Sequence, residues 1–265
     1  MKTKNCDFEF FANLYKHPSA MFFRAIELRS IHSLLSDQNF SQPSVDLGCG
    51  DGAIASLIFD APFTYGVDNG EAKDVQLAIN SGRYTKVFIE SAENMSLPDE
   101  SVNFVFSNCV IEHIPNNRAV LSEVSRILKP GGSFVFTVPS DKFPDFLFLT
   151  NQLAAIGLAA LSRHYKYRRN KMLNQFHCYS VEDWQQKLSE HKLSIENSSY
   201  YMEKSALMLW DKMALKIFLK RLFFINGENI EFKNNEVEIR RLIAVDNPKK
   251  GEGAGVIIHC KKSLN

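Results

Sequence analysis

Val45-Asp-Leu-Gly-Cys-Gly-Asp-Gly52 is the stretch whose reading decides the fold. Residues 44–47 form a short apolar run that reads as a buried strand, and three glycines follow it within five residues. Glycines at that point let the backbone approach a ligand closely, and the start of the next helix adds free N–H groups. Two ligand classes fit this outline. Gly48, Gly50 and Ala53 satisfy the G-x-G-x-x-G/A dinucleotide pattern, and Asp68 stands where a ribose-binding acid belongs. Two features separate the classes. Asp46 lies inside the strand end, where a carboxylate repels a pyrophosphate and attracts a ligand carrying an ammonium or sulfonium. The glycine spacing is also the tighter G-x-G-x-G.

On either side of this loop, apolar runs alternate with amphipathic ones. Residues 1–40 read as helical, with Phe22, Phe23, Ile26, Ile31, Leu34 and Leu35 on one face, and Pro43 closes the region. Strands are expected at 63–67, 86–89, 102–107 and 133–138, with helices at 53–58, 71–80 and 117–128 between them. Lys129-Pro-Gly-Gly132 stops the last of these helices. Two more strands are expected at 193–201 and 255–261, separated by an insertion of about fifty residues. This alternation implies βαβ units and a parallel sheet. Right-handed crossovers then place the loops at 48–52, 68–70, 91–93 and 108–113 along one edge, where open α/β sheets bind ligands.

Five ordered motifs carry a resemblance. They are Val45–Gly52, Tyr65-Gly-Val-Asp68, Ser91-Ala-Glu-Asn-Met-Ser-Leu-Pro-Asp99, Ser107-Asn-Cys-Val-Ile-Glu-His-Ile114 and Arg126-Ile-Leu-Lys-Pro-Gly-Gly132. Over residues 43–140 the sequence resembles the class I S-adenosylmethionine-dependent methyltransferases, in particular the small-molecule branch typified by ubiquinone and menaquinone methyltransferases. The resemblance implies a Rossmann-like, seven-stranded, mostly parallel sheet with helices on both faces and S-adenosyl-L-methionine as cofactor. It implies that Gly48, Gly50 and Gly52 line the methionine part of the cofactor, with Asp46 close by. Asp68 takes the ribose hydroxyls, Ala92 and Glu93 border the adenine, and Asn108 lies beside the methionyl group. One departure stands out: family members usually carry an acid before the Ala of the adenine motif, and this chain has Ser91.

The family's substrate pockets use the N-terminal helix and insertions after the fifth and sixth strands. We therefore expect one α/β domain over 1–265, its core at 43–140 and its cap at 1–40, 141–180 and 202–250. Residues 146–181 carry five Lys+Arg and no acid, so a total net charge of +1 leaves −4 for the remainder. That basic, tyrosine-bearing segment around 163–171 suits an anionic acceptor. The near-neutral total argues against a general nucleic-acid binder. Phe176-His-Cys-Tyr-Ser180 leads into the next helix, with Ser180 and Asp183 set for a capping box. If the acceptor is a hydroxyl, a base must take its proton; His177 is the first candidate and His113 the second, each with a structural hydrogen-bonding role as the alternative. Residues 205–225 read as an apolar helix with Lys212, Lys216 and Lys220 on one stripe, suited to a lid or to a peripheral membrane contact.

Five scattered cysteines give neither a disulfide framework nor a metal site, and no signal peptide or membrane span is legible, so a cytoplasmic protein is expected. The expected function is methyl transfer from S-adenosylmethionine, at oxygen, to a small or lipid-linked anionic molecule of saccharide or glycolipid type. The alternatives are a quinone-precursor methyltransferase, an RNA methyltransferase using the 163–171 patch, and a non-catalytic methyltransferase-like binding protein.

Overall fold

The computed structural model describes residues 1–4, 18–70, 72–222 and 228–264. Parts of the expected 1–40 and 205–225 helices fall outside these residues. Among the described residues the chain forms, in order, α1 (Pro18–Leu35), β1 (Ser44–Leu47), α2 (Ala53–Ile58), β2 (Phe63–Asp68), α3 (Ala72–Asn80), β3 (Tyr84–Ile89) and β4 (Val102–Asn108). A 3-10 turn (Ile111–His113), α4 (Asn117–Ile127) and β5 (Leu128–Pro139) follow. Next come α5 (Phe143–Phe146), α6 (Phe148–Ala155), α7 (Ala159–Met172), α8 (Val181–Ser189) and β6 (Leu193–Glu203). The chain closes with α9 (Lys204–Leu222), α10 (Glu228–Val245) and β7 (Gly253–Lys262).

The seven strands form one Rossmann-like sheet in the order β3-β2-β1-β4-β5-β7-β6. Strands β1 to β5 pair in parallel, whereas β7 runs antiparallel to both β5 and β6. Side chains alternate across β4. Phe104 and Phe106 enter the core beneath α1, α2, α9 and α10, while Val102 and Val105 enter the core beneath α4 and α8. On the first face Phe40 stacks on Phe104 with centroids 4.0 Å apart, and Phe59 meets Phe106 edge-on at 5.0 Å. On the second, Trp184 of α8 meets Phe136 edge-on at 5.1 Å. Fully burying such a side chain contributes about 1.5–3 kcal/mol.

Element ends depart from the sequence cues at three places: among the described residues the helix expected over 1–40 is confined to Pro18–Leu35, with Thr3 bridged to Phe59 instead, β3 begins at Tyr84 and not at 86, and the start of β5 moves. β5 begins at Leu128, not at 133, because the segment Lys129-Pro-Gly-Gly132 continues the strand and is absorbed by a register shift against β4 between Val102 and Phe104. Ser180 caps α8 as expected: its Oγ accepts from Asp183 N at 3.1 Å, and its N–H donates to Asp183 at 3.2 Å.

The cap is tied to the sheet by buried charges. Glu27 of α1 is fully buried. Its Oε1 accepts from Cys109 Sγ at 3.1 Å, Thr137 Oγ1 at 3.0 Å and Tyr201 OH at 2.9 Å, and its Oε2 pairs with Arg24. Desolvation favours the neutral acid here, but the Arg24 charge and these bonds overcome it and hold the carboxyl below its ordinary range. Asp211 of α9 is a second hub, accepting from Phe148 N at 2.9 Å, Tyr165 OH at 3.0 Å and Arg169 Nε at 3.1 Å. Of the α9 lysine stripe, Lys216 and Lys220 lie 3.5 and 2.6 Å from the buried Glu231 of α10, and Lys212 Nζ sits 5.7 Å from the Phe148 ring. The stripe is thus largely taken up inside the cap. No helix among the described residues is long and apolar enough to cross a membrane.

Removing one member of a buried ion pair strands the other. Glu27→Leu should lower the unfolding free energy by about 3–5 kcal/mol, measured by urea denaturation. The double variant Arg24→Leu, Glu27→Leu should lose less than the sum of the two single variants, since no unpaired charge remains. Because the Glu27 carboxyl is held low, its stabilisation is present above the ordinary carboxylate range and is lost as pH falls through the lowered native value.

Candidate active site

The parallel register brings the C-terminal ends of β1 to β4 to one edge, so the candidate cofactor residues meet there. The loop after β1 needs backbone that only glycine takes readily. Gly48 has φ +77°, and a Cβ on it would lie 2.2 Å from the Val110 side chain; Gly50 has φ +51° and faces open space. Gly50 N–H donates to Asp68 Oδ2 at 2.7 Å, and Gly70 N–H donates to Asp68 Oδ1 at 2.6 Å. The acid at the end of β2 is therefore fixed beside the open glycine loop.

Asp46 is buried at the end of β1 and accepts a 2.6 Å hydrogen bond from Tyr84 OH. Burial pushes its carboxyl up to about 7; the Tyr84 bond opposes the shift and the nearby Asp68 adds to it. This contact spans two strands, since Tyr84 stands on β3 and β2 lies between. It exists because the β2 residue opposite Asp46 is Gly66, where a Cβ would come within 3.1 Å of the Tyr84 ring and 2.9 Å of Cys49 Sγ. Asp46 is thus a buried, Tyr84-capped carboxyl, neutral over much of the acid range. Sequence reading offered no signal for Tyr84 beyond the glycine in Tyr65-Gly-Val-Asp68.

Ala92 is buried and Glu93 is exposed after β3, with Ser91 Oγ accepting from Glu93 N at 3.2 Å and donating to Glu93 Oε2 at 3.2 Å. The serine that replaces the usual acid therefore organises the neighbouring carboxylate. Asn108 ends β4 with its amide held on both sides: Oδ1 accepts from Arg24 at 2.7 Å, and Nδ2 donates to Thr137 Oγ1 at 2.6 Å.

Immediately beyond Asn108 opens a cavity of about 240 Å³. Phe23, Phe143, Leu173 and Trp210 supply apolar walls, while Arg24, Glu112, His113 and Gln175 bring polar groups. His113 Nδ1 donates to Asn174 O at 3.1 Å, and its Nε2 lies 3.7 Å from Glu112 Oε1. His177 is not among the cavity's lining residues. Its Nε2 sits 2.9 and 3.1 Å from the carbonyls of Ile114 and Pro115, and its Nδ1 sits 3.0 Å from Tyr179 OH. With both nitrogens so engaged, His177 fastens the segment after the 3-10 turn to the lead-in of α8. Arg24 and Glu112 were passed over in the sequence. Arg24 lies far from the motifs, and Glu112 stands beside a histidine that drew the attention.

Residues 45–136 match the family described as "Methyltransferase domain". The "Probable S-adenosylmethionine-dependent methyltransferase" of Mycolicibacterium smegmatis is 34% identical over 113 residues, 42% of this chain and 43% of that protein. The "Dimethylglycine N-methyltransferase" of Parasynechococcus marenigrum is 32% identical over 139 residues, 48% of each chain. The chain thus spans less than half the length of these relatives. A Thermotoga maritima structure described as a "SAM-dependent methyltransferase, possible histamine N-methyltransferase" shares the fold, with a TM-score of 0.58 and 21% identity over 97% of this chain and 98% of that one. Over Val45–Phe136 the chain is therefore similar to a methyltransferase domain, and the first of these relatives is described as S-adenosylmethionine-dependent. The open face of Gly50, with Asp68 anchored beside it, fits such a ligand.

Two measurements check this assignment. Asp68→Ala should weaken S-adenosylmethionine binding by at least about tenfold in calorimetry, the scale of hydrogen bonds to a charged group, while His177→Ala leaves it unchanged. The Asp46 carboxyl is raised in the native state, so its contribution is full below the ordinary Asp range and is lost as pH rises to about 7. Asp46→Asn should flatten that fall in the urea midpoint of the ligand-free protein.

Proposed function

We propose, from the methyltransferase domain carried by residues 45–136, that this protein transfers the methyl group of S-adenosylmethionine to a small molecule seated in the cavity beyond β4. The observation that supports this reading is a shared segment. Asn108, expected beside the methionyl group, is followed directly by Cys109, Glu112 and His113 of the cavity wall. The bound cofactor supplies an electrophilic methyl on a sulfonium. The chain's own residues supply alignment and dryness, which such a transfer needs more than covalent catalysis. Phe23, Phe143 and Trp210 exclude water, and the Arg24–Asn108–Thr137 chain of hydrogen bonds fixes the edge of the site. His113 and Glu112 are the groups placed to accept a proton from the acceptor.

The cavity favours a compact, largely apolar acceptor. A bare saccharide would ask for many more polar partners than these walls supply, whereas a compact apolar or single-ring compound suits them. The expected anionic acceptor rested on the basic run at 163–171, and two of its charges are already taken up: Arg169 by Asp211 and Lys166 by Asp145. Arg163, Arg168 and Lys171 remain exposed on α7, so an anionic or lipid-linked tail would be met outside the cavity and not at the reacting end.

The test is uptake of labelled methyl from S-adenosylmethionine into fractions of cell extract, with label expected in a small-molecule fraction. Asp68→Ala should abolish uptake. Ala20→Phe, which places a ring in the cavity, should cut uptake on the order of a hundredfold while calorimetric binding of S-adenosylmethionine is kept. Label appearing only in RNA or protein would overturn the reading.

A further inference from the structure

We propose that the cavity takes a compact apolar or aromatic amine, entering as its ammonium, and that the Glu112 carboxylate receives the ammonium and then its proton. This rests on the methyl-transfer reading above and names the acceptor class for that site.

Glu112 lies in the 3-10 turn, is 2% exposed and lines the cavity. Its Oε2 is buried and has no hydrogen-bond partner among the described residues. The contrast with Glu27, one helix away, is direct: there both carboxylate oxygens are filled. Arg24 also lines the cavity, yet it is no free anchor for an anion, because Glu27 and Asn108 Oδ1 already engage it. Buried polar atoms are nearly always bonded, so a carboxylate that lines a cavity and has an unfilled oxygen marks a place for a ligand donor.

Donor counting separates an amine from a hydroxyl. Gln175 Oε1 is a second buried oxygen without a partner on the same cavity wall. A hydroxyl offers one donor for the two oxygens, and an ammonium offers three. Charge leads to the same class. The groups facing Glu112 are Arg24 and Glu27 from α1, Cys109 and His113 from its own segment, and Cys178 ahead of α8. Arg24 and Glu27 cancel, so once Glu112 is ionised an ammonium opposite it closes the balance, whereas a carboxylate ligand would leave an unpaired negative charge in a dry site.

The proton has a destination. One N–H proton passes from the ammonium to a Glu112 oxygen, leaving a neutral amine with its lone pair free and a neutral carboxyl. Burial favours that neutral carboxyl and pushes Glu112 up to about 8, with the Glu27 charge adding and Arg24 opposing.

Calorimetry on the full chain, saturated with S-adenosylhomocysteine, tests this with three probes of similar shape: 2-phenylethylamine, 2-phenylethanol and 3-phenylpropionate. The amine should bind at least about tenfold more tightly than the other two. Its affinity should rise between pH of about 6.5 and about 8.5, as Glu112 loses its proton near 8. Glu112→Gln should cut amine affinity at least about tenfold, abolish the pH rise and leave the alcohol unaffected, while binding S-adenosylmethionine as the parent does. Equal binding of amine and alcohol, a preference for the carboxylate, or an unchanged amine affinity in Glu112→Gln overturns the proposal while the methyl-transfer reading stands. A parent protein that fails to bind S-adenosylmethionine overturns both.

Discussion

The buried carboxylate of Glu27 is the contact on which the placement of the cap depends. It sits on α1, yet its partners come from the segment after β4 (Cys109), from β5 (Thr137) and from β6 (Tyr201). A charge with no access to water has to be satisfied in full, so the geometry of α1 over the strand ends is tightly restricted. Arg24, one turn earlier on the same helix, neutralises it and reaches on to Asn108. One helix thereby sets both the position of Asn108 at the end of β4 and a wall of the cavity beyond it. The cost of desolvating this pair is offset only while every bond is made, which couples the integrity of the site to the docking of the cap.

At the cofactor edge the decisive feature is an absence of bulk. Gly66 faces Asp46 across β1 and β2, and the missing side chain lets Tyr84 lie over β2 and cap the carboxyl. The sheet thus keeps an acid dry and near neutrality at the spot where a cationic group is expected. A ligand with positive charge there would draw the proton off, so binding and ionisation are linked at Asp46.

Charge read from the sequence and charge available in space differ here for a clear reason. The basic run at 163–171 and the lysine stripe of α9 look like open invitations to an anion. In three dimensions Asp211, Asp145 and Glu231 answer several of those charges from other elements. The paired residues stand between 11 and 42 positions apart in the chain, and pairing across such gaps leaves no local periodicity to find. The same holds for Glu112, where a lack of partners, and not residue type, carries the information.

The parallel sheet and the edge where the loops after its strands meet were legible in the sequence alone. Hydrophobic alternation and glycine spacing are local properties, and a parallel βαβ arrangement then fixes where the loops after β1, β2, β3 and β4 must meet. Gly48, Gly50, Asp68 and Asn108 were legible for that reason. Which side chains reach the cavity beyond β4 was settled by tertiary packing. His177 and His113 are alike as residue types, yet packing committed both nitrogens of the first to bonds outside the cavity and left the second on its wall. Arg24, Glu27, Tyr84 and Glu112 acquire their chemistry from partners distant in the chain, and burial, which sets their charge states, exists only once the fold has closed around them.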